Sequence, residues 1–221
     1  MSEVITTGKA VWTEKGVAVY TTRPDLPNLS DDVRVLWADS RSITTEQRRK
    51  AWALMSEIAA FQGQSKEETY AEQKSAFTLK HLETLQDGLF RLSTATVSQA
   101  RAFITMLVDI VIENGIPTRE PLAALCDDIS RYVYSCLINK KCAVCGRKCE
   151  LHHVDAVGMG FDRKQISHIG KRCLPLCREH HNEWHNIGGT EFENKYHLIP
   201  IEIDERIAKI YRLKGDKSCS Q

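Results

Sequence analysis

Two short runs near the start, residues 17–20 (Val-Ala-Val-Tyr) and 33–38 (Val-Arg-Val-Leu-Trp-Ala), have the β-branched and aromatic content of strands. The stretch between them, residues 24–32, is rich in Pro, Asn, Asp and Ser and reads as a loop. Helical periodicity takes over after that. Thr44 with Gln47, and Ser65 with Glu68, have the spacing of capping boxes, and Trp52, Met55, Ile58 and Ala59 recur at helical intervals behind the first box. A third helix is expected over residues 97–114, with Phe103, Leu107, Ile110 and Val111 on one face and Gly115 closing it. A fourth is expected over about residues 121–137. No internal repeat or low-complexity segment interrupts this α+β pattern.

Composition divides the chain. Of 221 residues, 42% are hydrophobic and 27% charged, which is enough for one sizeable core or two small ones. No run is apolar for long enough to span a bilayer. The first residues, MSEVITTGKA, show neither a basic n-region nor an apolar h-region, so an intracellular, cytoplasmic location without membrane attachment is expected. Eight cysteines in that setting point to thiols or metal ligands rather than disulfides. The net charge of +1 conceals an asymmetry: residues 1–139 carry 15 Lys+Arg against 18 Asp+Glu, and residues 140–221 carry 15 against 11. Beyond position 139 also lie seven of the eight histidines and six of the eight cysteines. These shifts predict a domain boundary at about Asn139, with one domain over 1–139 and a chemically distinct one over 140–221.

In the second part, Cys142-Ala-Val-Cys145 reads as a tight turn, and Cys177-Arg-Glu-His180 as the start of a helix. Two such pairs supply the four ligands of a closed tetrahedral zinc site. Cys149 and Cys173 are spare thiols able to substitute; Cys126, Cys136 and Cys219 read as core or tail thiols, and His81 and His197 as hydrogen-bonded histidines. The 31 residues between the pairs exceed the needs of a simple zinc ribbon. They include LHHV, where His152 and His153 must point to opposite faces of a strand. Helix positions i and i+4 share a face, so His181 and His185 project together, away from His180. His152, His181 and His185 would then form an open three-imidazole site. His153, on the other face, would be free to take a proton from water.

At CAVC, LHHV, LPLCREHH and NEWH, over residues 140–187, the sequence resembles the HNH nuclease family. The resemblance implies a zinc-braced ββα-metal fold. It also implies catalytic-metal ligands at His152, His181 and His185, a general base at His153 and structural zinc on Cys142, Cys145, Cys177 and His180. For the catalytic cation, Mg²⁺ or Mn²⁺ is expected ahead of Zn²⁺ or Ni²⁺. The family's middle Asn would fall near Arg172, where no Asn stands; Asp155, Asp162, Arg163, His168 and Arg172 are the candidate supports in its place. Lys140, Lys141, Arg147, Lys148, Arg163, Lys164, Lys171, Arg172 and Arg178 read as phosphate contacts around such a site.

Residues 33–59 and 92–116 are similar to two stretches of the phage Orf/NinB recombination-mediator family. That similarity implies a dimeric protein that binds single-stranded DNA and cooperates with single-strand-binding protein. Arg41, Gln47, Arg48, Arg49, Lys50 and Trp52 are carried over as DNA-facing or turn-supporting. Together the two resemblances predict a mixed α+β mediator-like domain followed by a small zinc-stabilised HNH domain. Such a protein would be a phage recombination endonuclease acting on single-stranded or branched DNA in the cytoplasm of a bacterial host. Two alternatives are a zinc-stabilised DNA-binding module without catalysis, favoured by the missing Asn, and a self-standing homing or restriction nuclease.

Overall fold

The computed structural model describes residues 8–14, 16–21, 39–82, 85, 89–155 and 167–213. The expected strand at 33–38 lies outside these residues, as do Asp162, Arg163, Lys164 and Cys219. The chain divides into two units, Met1–Ala38 and Asp39–Gln221. In the first unit β1 (Gly8–Thr13) and β2 (Gly16–Thr21) form an antiparallel hairpin, with Thr13 opposite Gly16. The expected strand at 17–20 is part of β2.

In the second unit three helices begin with the same device. At α1 (Thr45–Gln62), α2 (Lys66–Lys80) and α3 (Val97–Asn114), the N-cap residues Thr44, Ser65 and Thr96 exchange hydrogen bonds with Gln47, Glu68 and Gln99. Each box satisfies two of the amide donors that a helix start leaves free. Gly115 closes α3 at φ 63°, a left-handed conformation that costs glycine least. Ala51, Leu54, Met55 and Ile58 of α1 and Phe103, Ile104, Leu107 and Val111 of α3 enter one core. Phe77 of α2 and Phe90 close it, with ring centroids 4.5 Å apart. Trp52 does not belong to that face: it is 38% exposed and lies against Tyr70, 5.5 Å between centroids.

The fourth helix is shorter than its sequence pattern predicts. A 3₁₀ turn covers Leu122–Leu125, the backbone extends at Cys126, and α4 (Ile129–Ile138) starts only where the Asp128 carboxylate accepts the Arg131 amide at 2.9 Å. Asp127 is drawn instead to α1, where it accepts from Gln47 Nε2 at 2.7 Å and Lys50 Nζ at 3.0 Å. The break therefore supplies a cap and an anchor in place of one helical turn.

Beyond α4, a three-stranded antiparallel sheet runs β3 (Glu150–His153), β4 (Arg172–Leu176) and β5 (Ile201–Glu202), with β4 central. Helices α5 (Arg178–Ile187) and α6 (Gly189–Tyr196) follow β4, and α7 (Glu205–Tyr211) follows β5. The buried core runs from Leu54 and Phe103 through Tyr132 and Leu137 to Leu174, Phe192 and Ile207 without interruption. Tyr132 ties α4 to the cysteine turn by donating to the Ala143 carbonyl at 2.7 Å. The compositional change at Asn139 thus falls inside one packed unit, at the C-cap of α4. No helix among the described residues is long and apolar enough to cross a membrane.

Candidate metal centres and active site

The first centre is built by a turn and a helix start. Gly146 donates to the Cys142 carbonyl at 2.9 Å and Cys142 to the Arg147 carbonyl at 2.7 Å, curling Cys142 and Cys145 toward each other. Cys177 is the N-cap of α5, so His180 follows one turn later on the same side. Cys145 Sγ lies 3.7 Å from Cys177 Sγ, and Cys142 Sγ lies 3.6 Å from His180 Nδ1. A tetrahedron with Zn–S bonds of about 2.3 Å has edges of about 3.7 Å. The four ligand atoms all lie within 4.8 Å of one another, and three thiols with one imidazole are the donor chemistry of structural zinc. Cys149 and Cys173 are not members: Cys149 Sγ contacts the Tyr211 hydroxyl at 3.3 Å, and Cys173 is buried in the sheet.

Arg147, expected to contact phosphate, is engaged elsewhere. Its guanidinium lies 3.3 Å from Cys145 Sγ and 3.8 Å from Cys177 Sγ, and pairs with Glu179. Burial alone would raise the Cys145 thiol, but the Arg147 hydrogen bond brings it below its usual value. Cys142, deeper, is pushed up to about 12 by burial. Metal uptake there must displace a proton.

The second centre joins the sheet to the exposed face of α5. His152 of β3 is 2% exposed and meets His181 and His185 at ring-centroid distances of 4.5 and 5.2 Å. His181 Nε2 and His185 Nε2 are 3.1 Å apart. The buried His152 Nε2 finds no hydrogen-bond partner among the described residues. A buried polar atom without a partner is costly, and here the site offers a reason: three imidazole nitrogens converge with space for an ion. Burial, then the neighbouring His181 and His185, lowers His152 to about 4, so the lone pair is available at neutral pH. Trp184 walls the site, its ring 4.3 Å from that of His152. It fits because residue 189 is glycine: a Cβ there would stand 2.7 Å from Trp184 Cζ2. Trp184 is the site residue that the sequence pattern did not single out, although it stands inside NEWH, next to His185.

The strand alternation sends His153 to the other side, where its Nε2 lies 2.9 Å from His168 Nδ1. Burial, then His168 and Lys171, lowers its pKa, which favours the neutral ring of a general base. Asp155 and Arg172 are spent on each other: the Asp155 carboxylate accepts the Arg172 amide at 2.8 Å and its guanidinium at 2.7 and 3.0 Å. That pairing joins the two sides of the insert.

The strand bearing His152 and His153, a return strand and the helix whose His181 and His185 meet His152 make a ββα unit around one candidate metal pocket. A family model described as "Putative HNHc nuclease" matches residues 25–215. The chain belongs to that HNH nuclease family. No curated protein and no solved structure matches it.

The matched span takes in the helical half as well, where the residues expected to face DNA or support a turn have the following places. Gln47 is 5% exposed and donates to the Val97 carbonyl and Asp127. Lys50 donates to the Cys126 carbonyl and Asp127 at 2.9 and 3.0 Å. Both hold α1 to the α3–α4 region, Gln47 buried and Lys50 partly buried. Arg49 is exposed but engaged by Glu46 and Glu120, and Arg41 by Asp39. Arg48 is exposed, with its guanidinium 3.4 Å from the Ser93 carbonyl. Lys171 is partly exposed, near His153.

The histidine pocket of this HNH protein carries an expected pH dependence of its own. His152 titrates at about 4 in the folded chain against 6.5 for the free side chain. Between these values the unfolded state binds more protons, so stability rises with pH and is lost as pH falls through the window. His168 and His181, also lowered by burial, act with the same sign. Chemical denaturation at pH 7 and pH 5 is expected to show a smaller loss for His152→Leu, which retains every zinc ligand, than for wild type. Equal losses would remove His152 as a buried neutral imidazole.

Proposed function

We propose that this HNH family member is a metal-dependent DNA endonuclease that uses His153 as general base beside a cation held by His152, His181 and His185. The observation that carries the reading is the unpartnered, buried His152 Nε2 aimed among two further imidazoles, with His153 on the opposite face of the same strand. Water loses a proton to His153, its oxygen bonds to phosphorus, and the bond from phosphorus to the leaving oxygen breaks as that oxygen takes up a proton. A bound divalent ion supplies Lewis-acid stabilisation of charge on the phosphate and the leaving oxygen. Zinc held by Cys142, Cys145, Cys177 and His180 would fix the start of α5, from which His181 and His185 project.

The donor set bears on the cation. Three imidazoles without a carboxylate among the described residues suit borderline ions such as Zn²⁺ and Ni²⁺ better than Mg²⁺, whose preference is for oxygen. Mn²⁺, from the pair expected from sequence, is the better match of the two. We assign DNA capture to the helical half, with single-stranded or branched DNA as substrate in phage recombination and single-strand-binding protein and a second copy of the chain as partners. The support is the Orf/NinB resemblance and the exposed Arg48 and Arg49. Replacing both arginines with alanine is expected to weaken single-strand binding and flatten its salt dependence, the log–log slope falling by about 0.7 for each phosphate no longer neutralised. Lys50→Ala, by contrast, is expected to lower thermal stability by removing the cation that pairs with Asp127. Salt-independent, unchanged affinity in the arginine variant would remove α1 from the DNA interface.

The assay for the reading as a whole is cleavage of single-stranded, duplex, flapped and four-way DNA with Mg²⁺, Mn²⁺, Zn²⁺ or Ni²⁺. Metal-dependent cleavage of at least one substrate is expected. DNA binding with no cleavage in any combination would favour the reading without catalysis, in which the missing Asn leaves the site inert.

A further inference from the structure

We infer that His168 is the positioning residue for His153, taking over at the return end of the insert the role left open by the absent middle Asn. The inference rests on the nuclease reading above and concerns which nitrogen of His153 is free to act. His153 Nε2 and His168 Nδ1 are 2.9 Å apart, so one must donate to the other. If His168 donated, the neutral His153 would carry its proton on Nδ1 and have no lone pair left for water. A working base therefore requires the opposite sense: His153 Nε2–H donates, His168 Nδ1 accepts, and His153 Nδ1 faces the reaction. In that sense the contact also steadies the imidazolium that forms when His153 takes a proton.

The acceptor stands on an anchored turn. The Lys171 amide donates to the His168 carbonyl at 3.3 Å, Gly170 donates to the Ile203 carbonyl at 2.9 Å, and Ile203 donates back to the Lys171 carbonyl at 2.9 Å. Gly170 holds φ 80°, which a residue with a side chain adopts only under strain. Immediately beyond, Arg172 is clamped by Asp155 and enters β4 with its carbonyl accepting from Val154 at 2.9 Å. The turn is thus tied to β5 on one side and to the end of β3 on the other, which fixes His168 relative to the strand that carries His153. Asp155 and Arg172 share the neighbourhood but are paired with each other, and among the described residues the side chain hydrogen-bonded to the base is that of His168.

Two substitutions at His168, each also in a His153→Ala background, and two readouts test this in the full-length, zinc-loaded protein. His168→Leu removes the acceptor, His168→Asn returns a carbonyl oxygen near the place of Nδ1, and each is combined with His153→Ala. With a cleaved DNA substrate, His168→Leu is expected to lower kcat about 10- to 100-fold, with KM and the stoichiometry of the second metal unchanged. His168→Asn should recover most of the rate. In the His153→Ala background, His168→Leu should cost nothing further, because a residue acting through the base has no effect once the base is gone. Imidazole ¹⁵N NMR at neutral pH supplies the readout that does not depend on cleavage: His153 is expected as the Nε2–H tautomer in wild type and His168→Asn, and as a mixture in His168→Leu. Full kcat in His168→Leu, a further multiplicative loss in the double variant, or a mixed His153 tautomer in wild type would each overturn the inference. A wild type that shows the Nε2–H tautomer and cuts nothing would overturn the nuclease reading while upholding the pairing.

Discussion

Stripping the structural zinc, or replacing Cys142 with serine, is expected to unfold the protein beyond the zinc knuckle itself. Zinc held by thiolates and imidazole contributes about 10–16 kcal/mol of apparent binding free energy in small domains, comparable to or above the roughly 5–15 kcal/mol net stability of a whole domain. The knuckle packs on the common core: Cys142 is fully buried, the carbonyl of the neighbouring Ala143 accepts the Tyr132 hydroxyl of α4, and Tyr211 reaches the Leu137 carbonyl at 3.1 Å. Loss of the metal should therefore appear as one shifted melting transition that includes the helices, with a drop of more than about 10 °C. Cys149→Ser, outside the ligand set, should retain one zinc per chain and a far smaller shift. Two separate transitions, one of them zinc-independent, would restore Asn139 as a folding boundary. Folded protein without zinc by elemental analysis would sink the assignment.

His181→Ala and His153→Ala should both be inactive for different reasons. Removing His181 deletes one of three imidazole donors while its own backbone amide still bonds the Cys177 carbonyl at 2.8 Å, so the zinc site is spared. Metal affinity at the second site should fall by about 10- to 100-fold or more, and cleavage should disappear with it. Removing His153 touches no ligand. Metal affinity, zinc content and DNA affinity should hold while the rate falls by at least about 10²-fold, the contribution of a positioned base. Calorimetric titration of Mn²⁺, Zn²⁺ and Ni²⁺ into zinc-loaded protein separates the two. Equal metal affinity in His181→Ala and wild type would remove His181 from the pocket.

The local parts of the site were legible because their spacing is local. A Cys-x-x-Cys turn, a Cys-x-x-His helix start, two histidines four apart and two adjacent on a strand each follow from one element's periodicity, with no distant partner involved. What resisted reading was set by pairings across the chain. Gln47 and Lys50 read as DNA-facing or turn-supporting, and it is Asp127, 80 and 77 residues away, that engages both. The same carboxylate accounts for the break that shortened the expected fourth helix. Arg147 read as a phosphate contact, and its pairing with Glu179, 32 residues on, lies beyond what local spacing shows. The border at Asn139 marked a real change in chemistry, yet hydrophobic packing ignores composition averages, and Tyr132 and Leu137 carry the core straight across it.

The most direct measurement is the nicking rate of DNA by wild type and His153→Ala, each zinc-loaded and saturated with Mn²⁺ or Ni²⁺, with metal occupancy recorded on the same samples. The HNH mechanism predicts metal-dependent nicking by wild type and a rate at least about 10²-fold lower for His153→Ala at equal occupancy. Equal rates for the two proteins, or no nicking by fully occupied wild type, would contradict it.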